Sequence, residues 1–549
     1  MYIKNKKIES FISILILCSA VVIYVFLSSK IALNSNTWVD EIIYLIKSWK
    51  YINFLSTPYS SEDPTWYMPF YFLQIGIWQK IFGQDILISR LLSSIIGLIN
   101  GLIVFKIIIK VTGSKISGSC GTLIFFTVPS VVFYFSTVTP TSTVSLILLV
   151  SIWVIIDSFR KADNYRSIIL GVLFCLMFYY RQNMILAIIF LLPLYIYSIE
   201  EKKKQLFIIL ATISIFTFLL ILLLPDKFIF SIFRLPLISP ILSHLGFFNE
   251  SSQLLDNYIN SSLGLNLKNF ALIDVIDAFI LPYLGILICC LSVLILATKK
   301  PLILLSILPL FFLFLSFTHY IGSLSYCKTC ILPYTSYYAS IGAICGGISI
   351  SLINSSSNLK SRFKIISICL FMIIIVSVNL FSSSLASRNE YKNYPISMLQ
   401  NTRKTSWQED VLQLSEFIKQ NTDQDSEVLP IHNLSIVPYS IFLAKRDFPH
   451  QMININHTYR EIDIKRYNEY DILNALEEEG FWSNQLLNKW IKEKFNIIIF
   501  QADPRDRYSE LIDDIEKDFT RKASTGFRGW NIYIYERNIY SNKDQMNKQ

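Results

Sequence analysis

Two adjacent carboxylates, Asp40 and Glu41 in NTWVDEIIYLIKSW, stand just past the first long apolar run. Such a pair beside a membrane can supply a general base, because a neighbouring like charge or partial burial raises the pKa of one member. It equally suits the first turn of a short surface helix, where the helix dipole favours negative charge. Spacing alone leaves both roles open. Three cations are candidate partners: Arg90 in QDILISRLLSSIIGLINGL, Arg181 in YYRQN and Lys328 in HYIGSLSYCKTCILP. An Arg near the end of a membrane span either snorkels to the headgroups or faces a cavity and binds an anion. Guanidinium suits phosphate as a bidentate donor, ammonium as a point charge. Together these residues fit proton abstraction beside a bound anion.

Other chemistries lack their residues. The chain has no Walker A loop, no H-E-x-x-H, no G-x-S-x-G elbow and no G-x-G-x-x-G fingerprint. An ATP-driven pump, a zinc protease and a serine hydrolase are thereby disfavoured, and a reaction here must draw on an already activated substrate. Most of the nine cysteines lie inside apolar runs (Cys18, Cys120, Cys175, Cys289, Cys290, Cys345, Cys369) and read as small hydrophobes. Cys327 and Cys330 form a lone C-x-x-C without nearby ligands, so no metal site is assigned.

The elements that must position these residues are membrane helices. Of 549 residues, 53% are hydrophobic and 16% charged, against roughly 25% charged in soluble chains. That composition describes an α-helical polytopic membrane protein. Apolar runs of the required length, roughly 17 to 25 residues, number about eleven. They lie near 11–32, 86–109, 117–136, 141–159, 166–180, 183–199, 205–224, 272–297, 301–318, 330–353 and 363–383. The first follows Lys4, Lys6 and Lys7 without a cleavage site and reads as an anchor rather than a signal peptide. The clusters Lys106/Lys110/Lys115, Arg160/Lys161/Arg166, Lys202–Lys204, Lys299/Lys300 and Lys360/Arg362/Lys364 then all fall on the N-terminal, cytoplasmic side. The net charge of +9 is accounted for by these loops, not by nucleic acid. Arg181 and Lys328 sit on the opposite side, where topology does not explain them.

This sidedness requires that Trp66–Phe82 (WYMPFYFLQIGIWQKIF) not span. It is short, aromatic and bounded by Pro69 and Lys80, so it reads as a helix lying on the outer surface. Residues 1–383 form the transmembrane domain, with 34–85 and 225–271 as outer loops, and 384–549 form an extracytoplasmic α/β domain. In that tail, Trp407–Gln420 and Tyr508–Phe519 have helical periodicity, while Asn496–Gln501 and Trp530–Tyr535 read as strands.

The ordered set resembles the GT-C superfamily of membrane glycosyltransferases, on the branch of protein O-mannosyltransferases and the lipid A aminoarabinose transferase. The resemblance is carried by Asp40–Glu41, YMPFYFLQIGIWQKIFG, SRLLSSIIGLING, TPTSTVSLILLVSIW and KTCILP, across about residues 30–350. The chain departs from the pattern at Asp63–Pro64 and Met68–Pro69, where a double proline is common, and at Lys328, where Arg is commoner. The resemblance implies an inverting glycosyltransferase of the plasma (inner) membrane, taking its sugar from a polyprenyl-phosphate donor. The acceptor hydroxyl would belong to a lipid, a cell-envelope glycan or a protein. It implies Asp40 as base, Glu41 as its orienting partner, and Arg90, Arg181 and Lys328 as phosphate ligands. Asp63 and Tyr67 complete the expected substrate-binding set. Some relatives use a divalent cation, although no ligand cluster here demands one. A polysaccharide polymerase or ligase working through Arg234 and His244 of the 225–271 loop is an alternative. So are a flippase or transporter, and a scaffold without activity.

Overall fold

A computed structural model describes residues 2–35, 39–59, 68–158, 163–224, 228, 280–297, 307–316, 335–355, 361–381, 407–424, 426–431, 436–448, 494–502, 509–527 and 530–538. Lys328, Asp63 and Tyr67 lie outside the described residues, as do Arg234, His244, Cys327 and Cys330.

The membrane-like part is a helical bundle. Its elements are α1 (Tyr2–Asn34), α4 (Ile86–Thr112), α5 (Lys115–Thr127), α6 (Pro129–Tyr134), α7 (Thr141–Asp157), α8 (Asn164–Tyr180), α9 (Ile185–Ser198) and α10 (Lys202–Leu223). After these come α11 (Leu281–Ala297), α12 (Ile307–Ser316), α13 (Ala339–Ser355) and α14 (Ser361–Phe381). Among the described residues, four helices are long and apolar enough to cross a bilayer, within α1, α4, α10 and α14, and six shorter apolar helices accompany them. The run at 117–136, read as one span, is two helices, because Pro129 cannot continue α5 and instead begins α6.

Small residues set the packing. On α5, Gly121 lies so close to α13 and α4 that an added Cβ would stand 3.1 Å from the Ala343 carbonyl oxygen and 2.3 Å from Ile108 Cδ1. Close approach of this kind substitutes for hydrophobic drive between helices that sit in apolar surroundings. Buried amides tie the bundle further: Asn100 donates to the Ile96 and Ser142 carbonyls, and Asn379 to Thr127 Oγ1 and the Ile124 carbonyl.

Between α1 and α4 come α2 (Val39–Ile52) and α3 (Pro69–Phe82), 14 residues each. At 1.5 Å per residue each is about 21 Å long, short of a hydrocarbon core of about 30 Å. They pack on one another through Ile42, Ile46, Phe72, Ile75 and edge-on aromatic pairs. An amphipathic surface helix leaves one face wet, yet every residue from Glu41 to Ser48 is buried. The covering comes from the C-terminal region. Val411, Leu414, Val437, Tyr439 and Phe442 share one apolar cluster with α2 and α3. Lys50 of α2 donates to Asp447 and to the Phe448 carbonyl, both at 2.7 Å, and lies 4.7 Å from the Phe448 ring centroid.

That region contains α15 (Trp407–Asn421), β1 (Val428–Ile431), α16 (Ile436–Leu443), β2 (Ile497–Ala502), α17 (Ser509–Asp518), β3 (Phe519–Phe527) and β4 (Trp530–Arg537). The sheet runs β1-β2-β4-β3, with β1 parallel to β2 and the other pairs antiparallel. The helices at 407 and 509 and the strands at 497 and 530 follow their sequence patterns. The two outer strands do not announce themselves: β1 is four residues long and holds Pro430, and β3 (FTRKASTGF) is largely polar, as befits sheet edges.

Candidate functional site

The two carboxylates separate at once. A step of one residue turns about 100° around a helix axis, so Asp40 and Glu41 leave α2 in different directions. Glu41 points inward. Its Oε1 accepts from Arg90 Nε at 3.0 Å and from the Val138 amide at 2.7 Å, while Oε2 accepts from Arg90 Nη2 at 2.8 Å. Arg90 Nη1 donates to the carbonyls of Ala32 at 2.8 Å and Ser35 at 3.2 Å, which terminate α1. The side chains of Arg90 and Glu41 are 1% and 0% exposed. This knot joins the last turn of α1, the first turn of α2, the first turns of α4 and the segment leading into α7. Carbonyls at a helix C-terminus lack intrahelical partners, and a cation there satisfies them.

Arg90 is expected from sequence to bind phosphate; here it is paired within the protein. At least four of its five N–H groups are committed to the protein, and it is enclosed. Arg90 does not reach solvent, and both of its contacts to Glu41 are made inside the protein.

Asp40 is half-buried, and Tyr44, one turn further along α2, shares its face. The Tyr44 ring meets Tyr71 edge-on at 4.7 Å and Phe72 at 5.3 Å. Burial pushes the Tyr44 hydroxyl well above the usual phenol range. The Arg181 charge opposes that shift, whereas Asp40 and Tyr337 add to it. A carboxylate from α2, a cation from the far end of α8 and a phenol ahead of α13 thus act on one buried hydroxyl. Tyr44 stays protonated and remains a hydrogen-bond donor at neutral pH.

Arg181 occupies the break between α8 and α9. Its backbone is extended (φ −155°, ψ 113°), its N–H still reaches the Met177 carbonyl, and Gln182–Met184 then form a single 3₁₀ turn. Tyr338 steadies this turn by donating to Met184 Sδ at 3.5 Å. The Oε1 of Gln182 and Oδ1 of Asn183 are enclosed without a hydrogen-bond partner. Gln74 and Thr143 pair through side chains at 3.0 Å, linking α3 to α7.

Sequence reasoning missed Tyr44, Tyr337, Gln182, Asn183 and the Val138 amide. Tyr44 was findable, since an i,i+4 step from Asp40 puts both on one face; the amide carries no side-chain signal. Among the described residues, no group of three His, Cys, Asp or Glu side chains is arranged to hold a metal ion.

Residues 63–225 match the family described as dolichyl-phosphate-mannose-protein mannosyltransferase. The structure is similar to that of ArnT from Cupriavidus metallidurans bound to undecaprenyl phosphate, with TM-score 0.58 and 11% identity over 95% of this chain and 97% of that one. The chain shares its fold with that ArnT. The apo state of the same ArnT gives TM-score 0.56 and 10% identity over 95% and 97% of the two chains. An oligosaccharyltransferase from Archaeoglobus fulgidus, tethered to an acceptor peptide, gives 0.48 and 11% over 96% and 74%. No curated protein matches by sequence.

Proposed function

We propose that this protein is a GT-C glycosyltransferase that transfers a sugar from a polyprenyl-phosphate donor to an acceptor hydroxyl at the outer face of the plasma membrane, with inversion. What supports this reading is the fold shared with ArnT, together with Asp40 one helical turn from Tyr44, a buried hydroxyl within reach of the Arg181 charge. Asp40 takes the proton from the acceptor hydroxyl as its oxygen attacks the anomeric carbon. The bond from that carbon to the phosphate oxygen breaks, and its electron pair leaves on the phosphate. Arg181, together with Lys328, holds that phosphate and offsets the charge developing on it. Tyr44 supplies a neutral donor between them, and Asp63 and Tyr67 complete the binding set. Glu41 and Arg90 work one step back, holding the first turn of α2 so that Asp40 keeps its place.

An undecaprenyl phosphate occupies the ArnT structure with the similar fold, which supports a lipid-phosphate donor here. The proposed topology has about eleven spans, a cytoplasmic N-terminus, and residues 34–85, 225–271 and 384–549 outside.

The test is transfer of labelled sugar from undecaprenyl-phosphate donors in membranes containing the full chain. Asp40→Asn should abolish transfer at unchanged protein level. Retained activity removes Asp40 as the base, and total loss in Arg234→Ala beside a tolerant Asp40→Asn favours the polymerase reading.

A further inference from the structure

Among the described residues several enclosed polar atoms lack a hydrogen-bond partner, and two of them stand in succession directly after Arg181. Gln182 and Asn183 follow Arg181 directly, in the turn between α8 and α9. Both are half-buried residues whose amide oxygens are fully enclosed, and neither oxygen accepts a hydrogen bond. Buried carboxamides are nearly always satisfied, because an enclosed acceptor with no donor keeps the whole desolvation cost and gains nothing back. Two in succession, beside a cation and in a turn held by Tyr338, mark a place where a ligand completes the structure. The groups that would complete it are donors. An anion is unsuited to two amide oxygens; a polyol or amino sugar presents hydroxyl or amino hydrogens along one edge, at the spacing that neighbouring side chains can accept.

Resting on the function proposed above, we propose that Gln182 and Asn183 form the subsite for the donor's sugar ring. They accept from its hydroxyl or amino groups while Arg181 holds the adjoining phosphate. This arrangement divides the donor between two kinds of recognition on one short segment. Arg181 recognises what every lipid-phosphate donor shares, and the two carboxamides recognise what distinguishes one sugar from another. A site that hydrogen-bonds a substrate hydroxyl rejects analogues lacking it far more strongly than an apolar pocket rejects a change in size. The pair therefore sets sugar choice.

The experiment uses the purified full chain with undecaprenyl phosphate and with undecaprenyl phosphate bearing glucose, mannose or arabinose, in the absence of acceptor. Wild-type protein should bind at least one sugar-bearing lipid about tenfold more tightly than the bare phosphate lipid. The near-isosteric double variant Gln182→Met, Asn183→Leu should lose that increment while its affinity for the bare lipid stays within about twofold. Its melting temperature should hold or rise, since two unsatisfied acceptors are removed; a structural role predicts a fall.

The inference is overturned if wild type binds all the lipids alike. It is also overturned if the double variant weakens the bare lipid equally or melts lower. Asp40→Asn separates this from the catalytic reading: it should bind the sugar-bearing lipid with the full increment yet transfer nothing. An increment in wild type that never leads to transfer would leave the subsite standing and remove the reaction; transfer without the increment would do the reverse.

Discussion

Two acidic residues one position apart in the sequence end in opposite surroundings. Glu41 is held on both carboxylate oxygens: Arg90 binds it twice, the Val138 amide once, and the spare guanidinium hydrogens cap α1. Asp40 is half-buried on the face it shares with Tyr44, whose hydroxyl also feels the Arg181 charge, and the amide oxygens of Gln182 and Asn183 follow Arg181 in the chain. The Glu41 carboxylate is committed to an enclosed ion pair, which fixes geometry at considerable desolvation cost. Asp40 is the more accessible of the two.

The largest effect separating the two is expected at Asp40. Asp40→Asn should reduce sugar transfer by about 10²- to 10⁴-fold, as for loss of a general base, without moving the thermal transition. Equal loss of stability would place Asp40 with Glu41 and erase the distinction. Glu41→Ala should do the opposite kind of damage. It strands Arg90 as an uncompensated buried charge, which costs about 3–5 kcal/mol and should appear as poor yield and early melting. Arg90→Lys should not restore it, because lysine cannot reproduce the bidentate contact. A stable, well-expressed Glu41→Ala would show that the knot is not structural.

Arg181→Ala sits between these extremes. Loss of a charge-assisted contact should weaken undecaprenyl phosphate binding about 10- to 100-fold in a direct binding assay, with folding intact. Unchanged binding would leave Lys328 as the remaining candidate. The smallest effect concerns the covering of α2. Lys50→Met removes the bridge to Asp447, whose side chain is 61% exposed, so about 1 kcal/mol or less is at stake. Faster amide exchange across residues 436–448 should reveal it. Tyr439→Phe, which deletes the hydroxyl accepting from the Ile86 amide at 3.2 Å, should add a similar increment at the start of α4.

Much of the bundle was legible because its signals are local and repeated. Apolar runs and basic loops each speak through their own neighbourhood, whereas Pro129 divides what reads as one long run. The two outer strands of the C-terminal sheet were not legible, because edge strands need no apolar alternation. The candidate site was half legible: Asp40 and Arg181 stand out as charges next to apolar sequence, while Gln182 and Asn183 look like ordinary loop residues until their burial is known.

Residue order and composition by themselves determined that this chain is a multi-pass membrane protein rich in apolar helices, and they singled out a few charges beside apolar sequence. They could not decide between Asp40 and Glu41, or between a ligand-binding and an anchoring Arg90. Those roles depend on which side chains from distant helices arrive within hydrogen-bonding distance. A short-range, directional contact between residues 41, 90 and 138 exists only once α1, α2, α4 and the α7 approach are packed together.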